Sequence, residues 1–210
     1  ELRMDSKTHR VDWLTPVFDI MELARSNRIA PDSLREMAHR SFVGLLELLP
    51  KPLPDERKLD RELATEMDRA LAELSTANDG TKKTADVIKL IETARRLHAD
   101  QELPWSFWPK LAQLAPGKAN LSCVAGLCKT AEKYEAHPRL HAELQELTAA
   151  IFEAACVGLT AYQEWKESRR VVDYVDMLDG ALDLIDHPRV RKELERRLQL
   201  VVVDEFQDTS

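Results

Sequence analysis

The sequence predicts an all-α protein, a multi-helix domain that ends in one C-terminal β-strand. Three observations predict it: 6 glycines in 210 residues, apolar residues at helical spacing along most of the chain, and a single β-branched run at its far end. Glycine this scarce lies well under the usual ~7%. That argues against glycine-rich phosphate loops, tight hairpins and strand-dense sheets, which use its freedom at positive φ.

Taken in order, Thr15 followed by Pro16 reads as a cap and a first-turn proline, opening a helix that runs towards Asn27. Pro31 repeats the device. Leu34, Ala38, Phe42, Leu45 and Leu49 follow it at three- and four-residue steps, the stripe of an amphipathic helix. Pro50, Pro52 and Pro54 end that helix in a stiff, extended connector, because each ring fixes φ and disfavours helix in the residue before it. Leu59, Leu63, Met67, Leu71 and Leu74 mark a helix from about Glu56 to Ser75, closed by the turn residues Asn78, Asp79 and Gly80. Val87, Ile88, Ile91, Ala94 and Leu97 mark another, from about Thr84 to Ala99. A helix follows near Ala119 to Glu135, then a long one from Pro138 to Arg169, about 48 Å at 1.5 Å per residue. Leu140, Leu144, Leu147, Ile151, Ala155, Gly158, Tyr162 and Trp165 give the long helix a near-heptad row. Leu200 to Val203 reads as a buried strand of a parallel sheet whose other strands the chain does not contain.

The formal charge of −7, from 30 Lys and Arg against 37 Asp and Glu, gives no whole-chain footprint for nucleic acid. Three cysteines are too few, and odd in number, for a disulfide framework, which favours a reducing compartment and the cytoplasm. No uninterrupted apolar run approaches the roughly 18 residues of a membrane span, and no apolar signal core follows Glu1, so no membrane partner is expected. The chain lacks an initiator Met and stops just after its strand, and it is expected to be a piece of a longer polypeptide.

Several clusters have a functional and a plain reading. The rings of Trp105, Phe107 and Trp108 could stack on unpaired bases. No Lys or Arg is interleaved with them, so a hydrophobic corner is the better reading. His137 and His141 have metal-ligand spacing, but Pro138 stands between them and no second ligand pair lies nearby. Cys123 and Cys128, with four residues between them rather than two, read as small apolar core residues. The pairs Lys82-Lys83, Arg95-Arg96, Arg169-Arg170 and Arg196-Arg197, with Arg189, Arg191 and Lys192, could face phosphates, yet Glu92, Glu167, Glu193 and Glu195 are interleaved as on a solvated helix face.

The last ten residues are different in kind. Asp204 and Glu205 directly follow the β-branched run, at the carboxyl end of the expected strand, where open α/β sheets bind ligands. An acid there can hold Mg²⁺ bridging phosphate oxygens, and a second can orient or deprotonate the attacking water. The full string Val202-Val203-Asp204-Glu205-Phe206-Gln207-Asp208-Thr209 resembles motif II, the Walker B element, of the UvrD/Rep group of superfamily 1 DNA helicases, which includes the helicase parts of the RecB and AddA helicase-nucleases. Asp173-Tyr174-Val175-Asp176-Met177-Leu178 is similar to the Asp-aromatic-x-Asp-Leu-Leu helix that precedes motif II there, and His187 to Leu198 to the short helix before the strand. With Asp179, Asp183 and Asp186, the acids Asp173 and Asp176 also read simply as the wet face of a helix whose apolar face is Tyr174, Met177, Leu178, Ala181 and Ile185.

The resemblance implies a helical 1B insert over residues 1–170 and a return into the RecA-like 1A domain over 171–210, a domain otherwise absent. It implies Asp204 as the Mg²⁺ ligand, Glu205 as the residue activating water, and Gln207 and Asp208 as nucleotide-site residues coupling ATP to the motor. The implied cofactors are ATP and Mg²⁺. The implied partners are single-stranded and duplex DNA and the rest of the helicase chain, 1A and a second RecA-like domain, with a role in DNA repair or recombination. No Gly-x-x-x-x-Gly-Lys-Ser/Thr loop is present, so the fragment alone is expected to be without ATPase activity and to hold no nucleotide. The alternative is a non-catalytic helical protein-interaction module with Val201 to Ser210 as an exposed tail.

Overall fold

A computed structural model describes residues 12–77, 80–101 and 103–202. Among them the secondary structure is helical throughout. The α-helices are α1 (Leu14–Ser26), α2 (Pro31–Leu46), α3 (Glu56–Ala77), α4 (Lys82–Ala99), α5 (Phe107–Ala112), α6 (Leu121–Ala131), α7 (Pro138–Arg169), α8 (Tyr174–Asp186) and α9 (Pro188–Arg197), with 3₁₀ turns at Lys118–Asn120 and Glu132–Ala136. The expected turn residues Asn78 and Asp79 lie outside the described residues. The chain groups into two compact units whose boundaries fall inside α2 and α7: residues up to Met37 with those from Ile151, and Ala38–Ala150. This grouping differs from the division at residue 170 that the resemblance implies.

In the Ala38–Ala150 unit, α3 packs against α4 and α6, and α5 against α6. The predicted stripes supply the core. Leu59, Leu63, Met67 and Leu74 of α3 and Val87, Ile91 and Ala94 of α4 are buried with Trp108, Leu111, Val124 and Leu127. Fully burying each large side chain contributes about 1.5–3 kcal/mol. Gly126 marks a close approach between helices: a Cβ there would fall onto the Glu66 and Arg69 side chains of α3. The Thr81 hydroxyl caps α4 by accepting from the Thr84 N–H at 3.4 Å. Buried Thr84 in turn accepts the Gly117 N–H at 3.1 Å, tying that loop to α4. The proline connector is pinned where Leu53 N–H donates to the Ala136 carbonyl at 2.8 Å.

In the other unit, Val17 and Ala24 of α1, Leu34 of α2, and Ala155, Cys156 and Leu159 of α7 form the core. Small residues allow a near approach; a Cβ on Gly158 would stand 2.9 Å from Met21 Sδ. Helix α1 starts two residues before Pro16, because Asp12 rather than Thr15 does the capping. Its carboxylate accepts both the Thr15 N–H (3.2 Å) and the Thr15 hydroxyl (2.6 Å).

Helix α7 has the expected ends, and its near-heptad row faces inward only in part. Ala155 is buried and Leu140, Leu144, Ile151, Gly158 and Tyr162 are half-buried, but Leu147 and Trp165 are exposed, and His141, Cys156, Leu159 and Lys166 outside the row are buried. A straight helix drifts about 20° per heptad, so no heptad row keeps one face inward over 32 residues. The helical stretch Lys118–Arg169 contains a window of mean hydropathy 1.2, long and apolar enough by composition to cross a membrane. Of that window 17% is buried, and Glu153, within this stretch, is bonded to Arg35 at 2.7 and 2.9 Å.

Three helix ends use left-handed residues that are not glycine: Arg28 (φ 55°), Gln101 (φ 58°) and Arg170 (φ 54°). After α1, Ile29 N–H donates to the Ala24 carbonyl and Arg28 N–H to that of Arg25; after α7, Val171 N–H donates to Lys166 and Arg170 N–H to Glu167. These backward bonds satisfy last-turn carbonyls in the manner glycine usually serves. Scarce glycine therefore did not mean unclosed helices.

The expected strand is not formed by the described part of its segment. Leu200, Val201 and Val202 carry no strand pairing and are exposed, Val202 at 78%. A strand exists only as one side of a ladder, and the described residues offer no second side. Val203 lies outside the described residues.

Candidate functional site

The segment that leads to the motif II-like string begins at α8. Asp173 sits in extended backbone as its N-cap and accepts the Asp176 N–H at 3.2 Å, while the Asp176 carboxylate accepts the Asp173 N–H at 2.9 Å, a reciprocal capping box. The same two acids take cations from α1 and α7. Asp173 accepts from Arg25 of α1, from the Tyr162 hydroxyl at 3.0 Å and from Lys166 Nζ at 3.4 Å. Lys166, 3% exposed, also donates to Asp176. One turn further along, Arg28 meets Asp179 at 3.3 Å and pairs with Asp183.

Burial would raise the Asp173 carboxyl, but the Asp176 backbone N–H, Arg25 and Tyr162 together hold it well below the ordinary carboxylate range. The Lys166 hydrogen bond, with the Asp173 backbone N–H, lowers Asp176 as well. Although Asp183 and Asp186 remain exposed, Asp173 and Asp176 are thus not on the wet face of α8. They face α1 and α7, and the apolar residues are outside: Tyr174 is 69% exposed, and Met177, Leu178, Leu182, Ile185 and Ala181 are exposed too. Amphipathic spacing correctly identifies two faces; it does not say which one meets the rest of the chain. The signal available in sequence was the cations Arg25, Arg28 and Lys166, whose partners are 148, 155 and 10 residues away and so invisible to local reading.

Asp204, Glu205, Gln207 and Asp208 lie outside the described residues. Among the described residues no group of His, Cys, Asp and Glu could hold a metal ion. His137 and His141 are engaged otherwise. His137 caps α7, its Nδ1 accepting the Arg139 N–H at 3.1 Å and its Nε2 lying 3.3 Å from Asp60 Oδ1, and His141 Nε2 donates to the Glu135 carbonyl at 2.7 Å. With Nδ1 accepting, the Nε2–H tautomer follows, so Nε2 donates to Asp60. Cys123 and Cys128 are partly buried free thiols against the core, as their spacing suggested.

Trp108 is fully buried, and its ring meets that of His137 edge-on at 5.6 Å, the corner role the aromatic cluster predicts. Cations do reach these rings from elsewhere: Arg139 lies over Trp105 at 4.6 Å. A second aromatic pair, missed in sequence, stacks Tyr162 on Trp165 at 6.0 Å, with Arg25 over Tyr162 and Arg169 over Trp165. Other basic pairs are neutralised locally: Arg95 by Asp68, Arg196 and Arg197 by Glu193, Arg191 by Glu195. That is the solvated-face arrangement, worth little each.

The Ala38–Ala150 unit holds a cleft of about 560 Å³ lined by Arg57, Asp60, His98, Gln101, Leu103, Trp108 and Arg139. Burial would raise Asp60, but the hydrogen bond from His137 and the nearby His98 ring hold it below the ordinary range.

The family model described as the UvrD/REP helicase N-terminal domain matches residues 21–210. No curated protein and no solved structure matches.

Proposed function

The chain belongs to the UvrD/REP helicase family, whose members are ATP-dependent DNA helicases, and from that premise we propose that it carries a helical 1B-like insert and the return into the first motor domain, ending at the acids that serve ATP hydrolysis. Asp204 holds the Mg²⁺ that accompanies ATP, and Glu205 orients and deprotonates the attacking water. Bound MgATP supplies the transferable phosphoryl group. Gln207 and Asp208 link the nucleotide site to the rest of the motor. In the parent polypeptide, this cycle drives movement along single-stranded DNA and unwinding of duplex, in repair or recombination, while the fragment alone turns over no ATP.

The observation that supports this reading most directly is the orientation of α8. Asp173, Asp176, Asp179 and Asp183 are spent on Arg25, Arg28 and Lys166, while the apolar face of the helix stands open, and Leu200, Val201 and Val202 are exposed as well. A helix and a would-be strand that both lack cover suit a segment completed by the sheet of a motor domain. The test is Glu205→Gln in the parent polypeptide. DNA-stimulated ATP hydrolysis is expected to fall by at least about a hundredfold, the scale of losing a positioned general base, with nucleotide binding retained. Unchanged turnover would overturn the assignment and leave the non-catalytic interaction module standing.

A further inference from the structure

The cleft of the Ala38–Ala150 unit carries an inference that goes beyond the family reading. We propose that it binds a phosphate monoester, the oxyanion held by Arg57 and Gln101 at the mouth of the cleft, above a floor in which Leu103 and Trp108 are buried. The cleft is formed by the first turns of α3 and α7, the end of α4, the loop after it, and α5. Its volume, about 560 Å³, falls among those of small-molecule sites, roughly 300–1,000 Å³.

The chemistry follows from which polar groups are still unsatisfied. Trp108 is fully buried, yet its Nε1–H has no acceptor; a buried indole N–H normally finds one. Arg139 Nε is also buried without a hydrogen bond, with the nearest carboxylate oxygen, on Glu143, 3.4 Å away. Among the described residues the Arg57 guanidinium makes no ion pair. Gln101 is held at the rim by its left-handed backbone. All of these offer donors. Among the described residues the one carboxylate of the lining, Asp60, is engaged by His137 at 3.3 Å and has His98 at 3.8 Å. A surplus of donors beside an apolar wall fits a single oxyanion carried on a flat or apolar body, and the Asp60 charge disfavours a polyphosphate.

A phosphate monoester can come from a free mononucleotide or from the phosphorylated end of a nucleic-acid strand. Both are distinguished by following the tryptophan indole N–H resonances of the 210-residue chain, with that of Trp108 assigned through Trp108→Phe. The titrants are inorganic phosphate, a nucleoside 5′-monophosphate, and a short oligonucleotide with and without a terminal phosphate. A saturable shift of the Trp108 resonance is expected with the monophosphate, about tenfold tighter than with inorganic phosphate, and weakened about tenfold or more by Arg57→Gln at unchanged melting temperature. A matching shift with the phosphorylated but not the unphosphorylated oligonucleotide assigns the strand end; a shift with the mononucleotide alone assigns the free nucleotide. The proposal is overturned by no saturable Trp108 shift, by no gain of the ester over inorganic phosphate, by equal shifts with both oligonucleotides, or by equal affinity in Arg57→Gln. Glu205 plays no part in any of these readouts, so this test and that of the ATPase assignment fail independently.

Discussion

Replacing Lys166 by Met isolates the buried charge on which α8 is anchored. The methionine keeps most of the packing of the lysine stem but leaves Asp176 without its cation and Asp173 with Arg25 alone. Removing one partner of a fully buried pair costs about 3–5 kcal/mol. Here the lysine is 3% exposed but the two carboxylates are 28% and 25% exposed. Water can reclaim part of their charge, so the expected cost at neutral pH is about 1–2 kcal/mol. Urea unfolding followed by tryptophan emission reads this as a lower midpoint at unchanged slope. Both carboxyls are lowered in the folded protein. Their stabilisation is therefore present above the unfolded value of about 3.9 and is lost as pH falls through the folded values. The wild-type advantage should shrink below about pH 4 and then reverse, since protonated acids leave Lys166 charged, buried and unpaired. A cost under about 0.5 kcal/mol at pH 7, the scale of an exposed pair, or a cost unchanged down to about pH 3, would refute the reasoning.

His137→Phe keeps a ring against Trp105 and Trp108 but removes the donor to Asp60 and the acceptor for Arg139 N–H. It should lower stability by about 1–3 kcal/mol in the same urea assay, the cost of stranding buried polar groups, and flatten the acid limb below about pH 4 that the lowered Asp60 supplies. Leu182→Gln tests the open face of α8: an exposed position should change stability by no more than about 0.5 kcal/mol, whereas a loss of about 2 kcal/mol or more would mean the face is covered within this chain.

How much was legible in the sequence depended on the range of the forces concerned. Leu59, Leu63 and Met67, or Val87 and Ile91, are buried as their spacing predicts, because the stripes of α3 and α4 pack into one core. Pro31 and Pro138 set helix starts by covalent geometry alone and were read correctly. What failed was of longer range. The orientation of α8 is decided by Arg25 and Arg28, some 150 residues away in sequence, and a buried Lys166 breaks the usual equation of charge with solvent. The strand at Leu200 depends on neighbours that the described residues do not supply. The reading of Asp204, Glu205, Gln207 and Asp208 rests on residue identity and order alone, since these residues lie outside the described ones.

The left-handed residues at three helix ends bear on how this chain should be redesigned. A stability-minded engineer would place glycine at Arg28, Gln101 and Arg170, where relief of backbone crowding is worth about 1 kcal/mol per site. At two of them that exchange deletes a working side chain. Residue 28 would lose its grip on Asp179 and Asp183, and residue 101 would lose the amide at the mouth of the cleft. A variant with a higher melting point could then carry a loosened α8 and an altered cleft, so thermal screening of this protein would select against the contacts that distinguish it from an ordinary helical bundle.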